Sequence, residues 1–237
     1  MRRAFLLIAF GLVLGFAAGF AVAYWRLPPY YRIDRLITGA APPATNVPPN
    51  YALWRDSYRG ETGSVQIVML GDSITRLGNW PALLGQAEIT NLGIPGDTTD
   101  GVLGRLADGN IPPGSTVFIL AGVNDVVRSV PVERTLANLE RIVGALAPGR
   151  SIYLQSTLFT ERAGLNGDIA KIVAGEKAIC RRLRCTFVDL NAVLAPQGVL
   201  LAEYSADGIH LSAAGYAKWS EILRPYLLRD EGKRQPL

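Results

Sequence analysis

His210 is the only histidine among 237 residues, and it stands three positions after Asp207 in the segment Asp207-Gly208-Ile209-His210. An imidazole can take and return a proton near neutral pH without a special environment. A carboxylate beside it can fix its tautomer and stabilise the imidazolium that forms. Ser73, in the stretch Gly71-Asp72-Ser73-Ile74-Thr75, supplies a hydroxyl, which is a weak nucleophile until a base removes its proton. A tetrahedral oxyanion needs donors already aimed at it. The Ser73 backbone N–H, the Gly96 backbone N–H and the Asn124 side-chain amide are the candidates. The chemistry these residue types could perform together is acyl transfer.

Taken singly, each has a plainer use. Gly-Asp-Ser and Gly96-Asp97 are turn formers, Asn124-Asp125 can cap a helix, and Asp207 can shape a turn. A lone histidine can be a hydrogen-bonded structural residue. Other catalytic signatures are absent. The chain has no G-x-S-x-G elbow, no phosphate-binding Walker loop and no H-E-x-x-H pair.

The elements that must position these residues follow from the apolar rhythm. Short apolar runs recur at 65–70 (VQIVML), 88–92 (EITNL), 116–121 (TVFILA), 151–155 (SIYLQ) and 186–190 (TFVDL). Segments of helical character separate them at 80–84, 99–106, 131–146 and 167–183. A last helix is expected over 212–228, with Ser212 as N-cap and Tyr216, Trp219, Ile222, Leu223 and Tyr226 on one face. Strands alternating with helices imply a parallel sheet covered on both faces. Five strands predict an α/β fold, a three-layer α/β/α sandwich with a flavodoxin-like parallel sheet. In such sheets ligands bind beyond the carboxyl ends of the strands. Ser73, Gly96 and Asn124 each follow one of the first three strands, so all would reach the same edge.

Four segments, Gly71-Asp72-Ser73, Gly96, Gly122-x-Asn124-Asp125 and Asp207-x-x-His210, resemble in order the four blocks of the SGNH (GDSL-type) hydrolases. The resemblance spans roughly 65–228. It implies Ser73 as nucleophile, Gly96 and Asn124 as oxyanion donors, His210 as base and Asp207 as its orienter. The segment 91–106 (NLGIPGDTTDGVLGRL) is similar to the branch of platelet-activating-factor acetylhydrolases and short-acyl carbohydrate esterases. Pro95 departs from that branch, which often carries glycine there. No cofactor is expected, and two cysteines with one histidine argue against a zinc site.

The rest of the chain frames that domain. Arg2 and Arg3 precede an uncharged run over 4–25, long enough at about 1.5 Å per residue to cross a bilayer. A signal anchor over 1–25 is expected, with cleavage after Ala21-Val22-Ala23 as the alternative. The segment 26–64 reads as a Pro-rich stalk, in which the aromatic 51–58 (YALWRDSY) docks on the domain. The residues 229–237 read as a polar tail. The catalytic body is expected outside the cytoplasm, although Arg26, Arg32 and Arg35 argue weakly against that orientation. The net charge of +4 is scattered, with no basic stripe for nucleic acid. Cys180 and Cys185, the only cysteines, either close a small disulfide or remain two reduced thiols.

The sequence therefore predicts a membrane-anchored, extracytoplasmic serine esterase hydrolysing a short-acyl ester, such as an acetyl ester, of a lipid, glycan or small-molecule alcohol. A lysophospholipase, thioesterase or acyltransferase would keep the same site. A non-catalytic glycan-binding module on the same scaffold is the rival from another class.

Overall fold

The computed structural model describes residues 51–58, 67–86, 88–106 and 111–234. The expected signal anchor, most of the stalk and the end of the tail lie outside the described residues. Among the described residues, no helix is long and apolar enough to cross a membrane.

Five strands form one parallel sheet in the order β2-β1-β3-β4-β5: β1 (Ile67–Gly71), β2 (Ile89–Gly93), β3 (Thr116–Leu120), β4 (Ser151–Gln155) and β5 (Thr186–Val188). This is the expected flavodoxin-like order, and its direction reverses between β1 and β3. β1 (IVMLG) and β3 (TVFIL) are buried along their whole length, as central strands covered on both faces must be. β5 stops at Val188, two residues short of the expected run. The chain there turns toward a short helix, and the Leu190 N–H donates to the Ser156 Oγ instead.

Nine helices appear among the described residues: α1 (Tyr51–Tyr58), α2 (Ser73–Arg76), α3 (Trp80–Leu84), α4 (Thr99–Gly104), α5 (Val123–Val127), α6 (Val132–Leu146), α7 (Ala163–Leu183), α8 (Asn191–Leu194) and α9 (Ala213–Arg234). α4, α6 and α7 pack side by side, while α9 packs with α3 and α8. α6 turns Leu139, Ile142, Val143 and Leu146 inward at helical spacing. α7 starts four residues before the expected Gly167. Asn166 is drawn into the interior there, donating to the Thr160 and Gly198 carbonyls.

α9 begins where its sequence predicts but continues to Arg234, six residues past the expected end at 228 and into the segment read as a polar tail. The Ser212 carbonyl and hydroxyl accept from the N–H groups of Tyr216 and Gly215, so Ser212 is the N-cap. Tyr216, Trp219 and Leu223 are buried, and the Trp219 ring meets Trp80 edge-on at 4.6 Å. The docking expected of 51–58 is also present. Trp54 is half-buried and packs on the core, and the Arg76 guanidinium lies 4.5 Å above its ring.

Cys180 and Cys185 form a disulfide. It closes the turn from α7 into β5, where Arg184 takes a left-handed conformation. Closing so short a loop contributes on the order of 2 kcal/mol.

Glu176 lies fully buried in α7 and shows how a carboxyl can be accommodated there. The Thr157 hydroxyl is 2.9 Å from the Ala121 carbonyl and 2.7 Å from Glu176 Oε1. One hydroxyl proton cannot serve both acceptors. A protonated Glu176 resolves the count: it donates to Thr157 Oγ1, which donates to Ala121, while its carboxyl accepts the Thr157 N–H. Burial pushes the Glu176 carboxyl up to about 8, against the pull of the Thr157 hydrogen bonds. The folded protein thus keeps a proton that the unfolded chain has already lost. Stability contributed here falls as pH rises from the ordinary value near 4.5 through about 8. Glu176→Gln offers the same donor and acceptor without the titration. Its stability relative to wild type should rise by at least about 1 kcal/mol between roughly pH 5 and pH 8 in denaturant melts. A pH-independent difference would refute the protonated form.

Candidate active site

The carboxyl end of β1 delivers Ser73 through a turn built for it. Asp72 is the N-cap of α2, and its Oδ1 accepts the Ile74 N–H at 2.9 Å. Ser73 is the first residue of the helix, where backbone N–H groups have no intrahelical acceptor. The helix has four residues and is held from outside. Trp80 Nε1 donates to the Thr75 carbonyl at 2.8 Å, and the Tyr216 hydroxyl donates to the Ile74 carbonyl at 2.6 Å. The Asn91 amide reaches the Thr75, Arg76 and Gly78 carbonyls at 3.1–3.2 Å. At Gly93 a side chain would collide with the Arg76 backbone nitrogen and the Asp72 carbonyl, so only glycine lets β2 end this close to the Ser73 turn.

Ser73 and His210, 137 positions apart, meet with Oγ 2.9 Å from Nε2. His210 Nδ1 lies 2.7 Å from Asp207 Oδ2, and the other Asp207 oxygen accepts the backbone N–H groups of His210 at 2.8 Å and Ile209 at 3.0 Å. Slight burial works against the Asp207 charge, but hydrogen bonds from the His210 backbone and ring and from the Ile209 N–H outweigh it, holding the carboxyl down at about 2. A carboxylate can only accept. Nδ1 therefore carries the ring proton and the Nε2 lone pair faces the Ser73 hydroxyl, the tautomer a general base requires.

The turn after β2 carries Gly96 in a left-handed conformation with φ of 73°. Its carbonyl is pinned by Arg128 Nη2 at 2.7 Å. Asn124, in α5 at the end of β3, donates to the Asp97 carbonyl at 2.9 Å, and its amide also lies 3.5 Å from Asp72 Oδ2. The Asn124 amide is thus aimed by the Gly96-Asp97 turn, while one of its N–H groups is only loosely engaged. All five residues singled out in the sequence line one edge of the sheet. Two pairings are shown in full: Ser73 with His210, and His210 with Asp207.

Several supporting residues were not legible in advance. Asp125 accepts the Thr99 N–H at 2.9 Å and the Thr99 hydroxyl at 2.5 Å, joining α5 to α4. Arg105 and Asp97 form a buried ion pair at 2.8 Å. Burial pushes Asp72 up to about 7 and Asp97 and Asp125 up to about 6, with Arg105 opposing the shift at Asp97. The available signal was the density of charged residues in a glycine-rich apolar stretch. Among the described residues, no group of three or more His, Cys, Asp or Glu could hold a metal ion.

Residues 69–218 match the GDSL-like Lipase/Acylhydrolase family. The chain belongs to that family. Acylhydrolases of this kind cleave esters, and the chain is accordingly an ester-hydrolysing enzyme. A protein of Streptococcus pneumonia, provisionally described as a platelet activating factor, is 30% identical with a TM-score of 0.69, covering 74% of this chain and 92% of its own. A GDSL-like lipase from Bacteroides thetaiotaomicron has a TM-score of 0.64 at 20% identity, covering 76% of this chain and 96% of its own. At that identity the likeness is one of fold. N-acylneuraminate cytidylyltransferases of Streptococcus agalactiae are 29% identical over 99 residues, 40% of this chain, and the chain spans only 24% of their length.

Proposed function

We propose that this acylhydrolase is a serine esterase working through an acyl-enzyme. His210 Nε2 takes the Ser73 proton as Oγ attacks the ester carbonyl. The oxyanion is met by the N–H groups of Ser73 and Gly96 and by the Asn124 amide. The tetrahedral intermediate expels the alcohol, which receives its proton from His210. Water, deprotonated by His210, then attacks the acyl-enzyme, releases the acid and restores the serine. Asp207 holds the imidazole in the productive tautomer throughout. The observation that carries this reading is the continuous Asp207–His210–Ser73 hydrogen-bonded relay.

The proposed substrate is a short-acyl ester. Supporting it is the similarity of 91–106 to short-acyl esterases, together with one fold relative, at 17% identity and a TM-score of 0.59, that is an acetyl xylan esterase. We also propose an extracytoplasmic catalytic domain, anchored through 1–25. The Cys180–Cys185 disulfide supports an oxidising compartment.

Full-length protein in detergent should hydrolyse nitrophenyl acetate at least about tenfold faster, in kcat/KM, than the dodecanoate ester. Equal rates would sink the short-acyl preference. A fluorophosphonate should label Ser73 in the folded enzyme, and no labelling would favour a binding module. Asn124→Ala should lower kcat by about 10²–10³ in the same assay. An unchanged kcat would remove Asn124 from the oxyanion site.

A further inference from the structure

Arg105 follows α4 and is only 5% exposed. Its Nε donates to Asp97 Oδ2 at 2.8 Å, and its Nη2 donates to the Gly71 carbonyl at 2.9 Å and the Leu92 carbonyl at 2.8 Å. Each acceptor belongs to a segment that the site depends on. Gly71 ends β1 two residues before Ser73. Leu92 lies at the end of β2, ahead of the turn carrying Gly96. Asp97 follows Gly96, and its own carbonyl accepts the Asn124 amide. A single guanidinium therefore spans the backbone sources of the nucleophile and of the glycine donor, and reaches the carboxamide donor through one residue.

We propose that Arg105 is a positioning residue for ester hydrolysis, fixing the nucleophile turn and the oxyanion turn relative to one another. This rests on the serine-esterase reading. The argument is geometric. Ser73 and Gly96 lie in turns past neighbouring strand ends whose register stops at Gly71 and Gly93, with a last backbone bond from the Ile94 N–H to the Gly71 carbonyl at 3.0 Å, so the sheet no longer sets their spacing beyond that point. Arg105 continues the cross-connection there with a planar group whose donors are fixed in direction. A lysine ammonium is a compact point charge on a flexible stem and cannot hold three acceptors in that geometry. A displacement of about 1 Å between attacking oxygen and oxyanion donor is enough to cost on the order of 100-fold in rate. A merely structural ion pair would instead affect how much protein folds, not how fast each folded site turns over.

The test uses full-length enzyme carrying Arg105→Lys, with folded sites counted by fluorophosphonate titration. The expected result is a kcat per titrated site lowered by roughly 10- to 100-fold, KM within about threefold of wild type, and a parallel fall in the fluorophosphonate labelling rate. A kcat per site within about twofold of wild type would overturn the proposal, whatever happens to the melting temperature. Asp97→Asn provides a second measurement, because it leaves the Asp97 carbonyl in place and removes the carboxylate that aims Nε. The same loss in kcat is expected, and an unchanged value counts against the proposal. Absence of any Ser73-dependent hydrolysis in wild type would bring down the esterase reading and this one with it. Wild-type hydrolysis with unaffected variants would bring down only the role of Arg105.

Discussion

Ser73→Ala should lower kcat by roughly 10⁴–10⁶ while leaving the fold and melting temperature nearly unchanged. The size follows from chemistry: without Oγ there is no acyl-enzyme, and the remaining donors can assist only direct attack by water. The retained fold follows from structure. The Ser73 side chain is partly exposed, and among the described residues the only side-chain hydrogen bond it shows is to His210. The turn is held by Asp72, Trp80, Tyr216 and Asn91, none of which uses the serine hydroxyl. Nitrophenyl acetate hydrolysis beside a thermal melt measures both halves. Activity within about tenfold of wild type would mean that another group performs the attack.

His210→Ala should produce a loss of similar size, and combining it with Ser73→Ala should add almost nothing. A nucleophile that cannot be deprotonated is nearly as ineffective as one that is missing, so under the proposed mechanism the two residues act as one functional unit. With a single histidine in the chain, no second imidazole can stand in. Asp207→Asn tests the next link. Its carboxylate is more than half exposed, so it acts here by orientation and hydrogen bonding rather than as a buried charge. The loss expected is smaller than for His210. Multiplicative losses in the Ser73–His210 double variant would show that the two act separately and would refute the relay.

The sequence revealed most where residue type and chemistry coincide. Ser73, His210 and Asp207 are few-choice residues, and their order along the chain is distinctive even though 137 positions separate Ser73 from His210. The strand pattern was equally legible, because central parallel strands such as 116–120 are apolar on both faces. What escaped was the network behind the site. Arg105 sits in an ordinary helical stretch, and nothing local says that its guanidinium reaches Gly71, 34 positions earlier. Asn91 looks like a polar interruption of a strand, yet it secures the end of the nucleophile helix. Such contacts depend on which strands become neighbours, and the β2-β1-β3 crossover is not a local property. The disulfide shows the same limit from the other side. Spacing left the Cys180–Cys185 pairing open, and the helix end that brings the two together decided it.

The Tyr216 hydroxyl grips the Ile74 carbonyl across 142 positions of chain, from the helix that follows His210. A growing polypeptide made from its amino end therefore holds its serine long before it owns either the imidazole or the phenol that steadies the serine's helix. The proposed Asp207–His210–Ser73 relay can therefore assemble only after this later segment has been made, so a chain stopped before it cannot attack esters by that route.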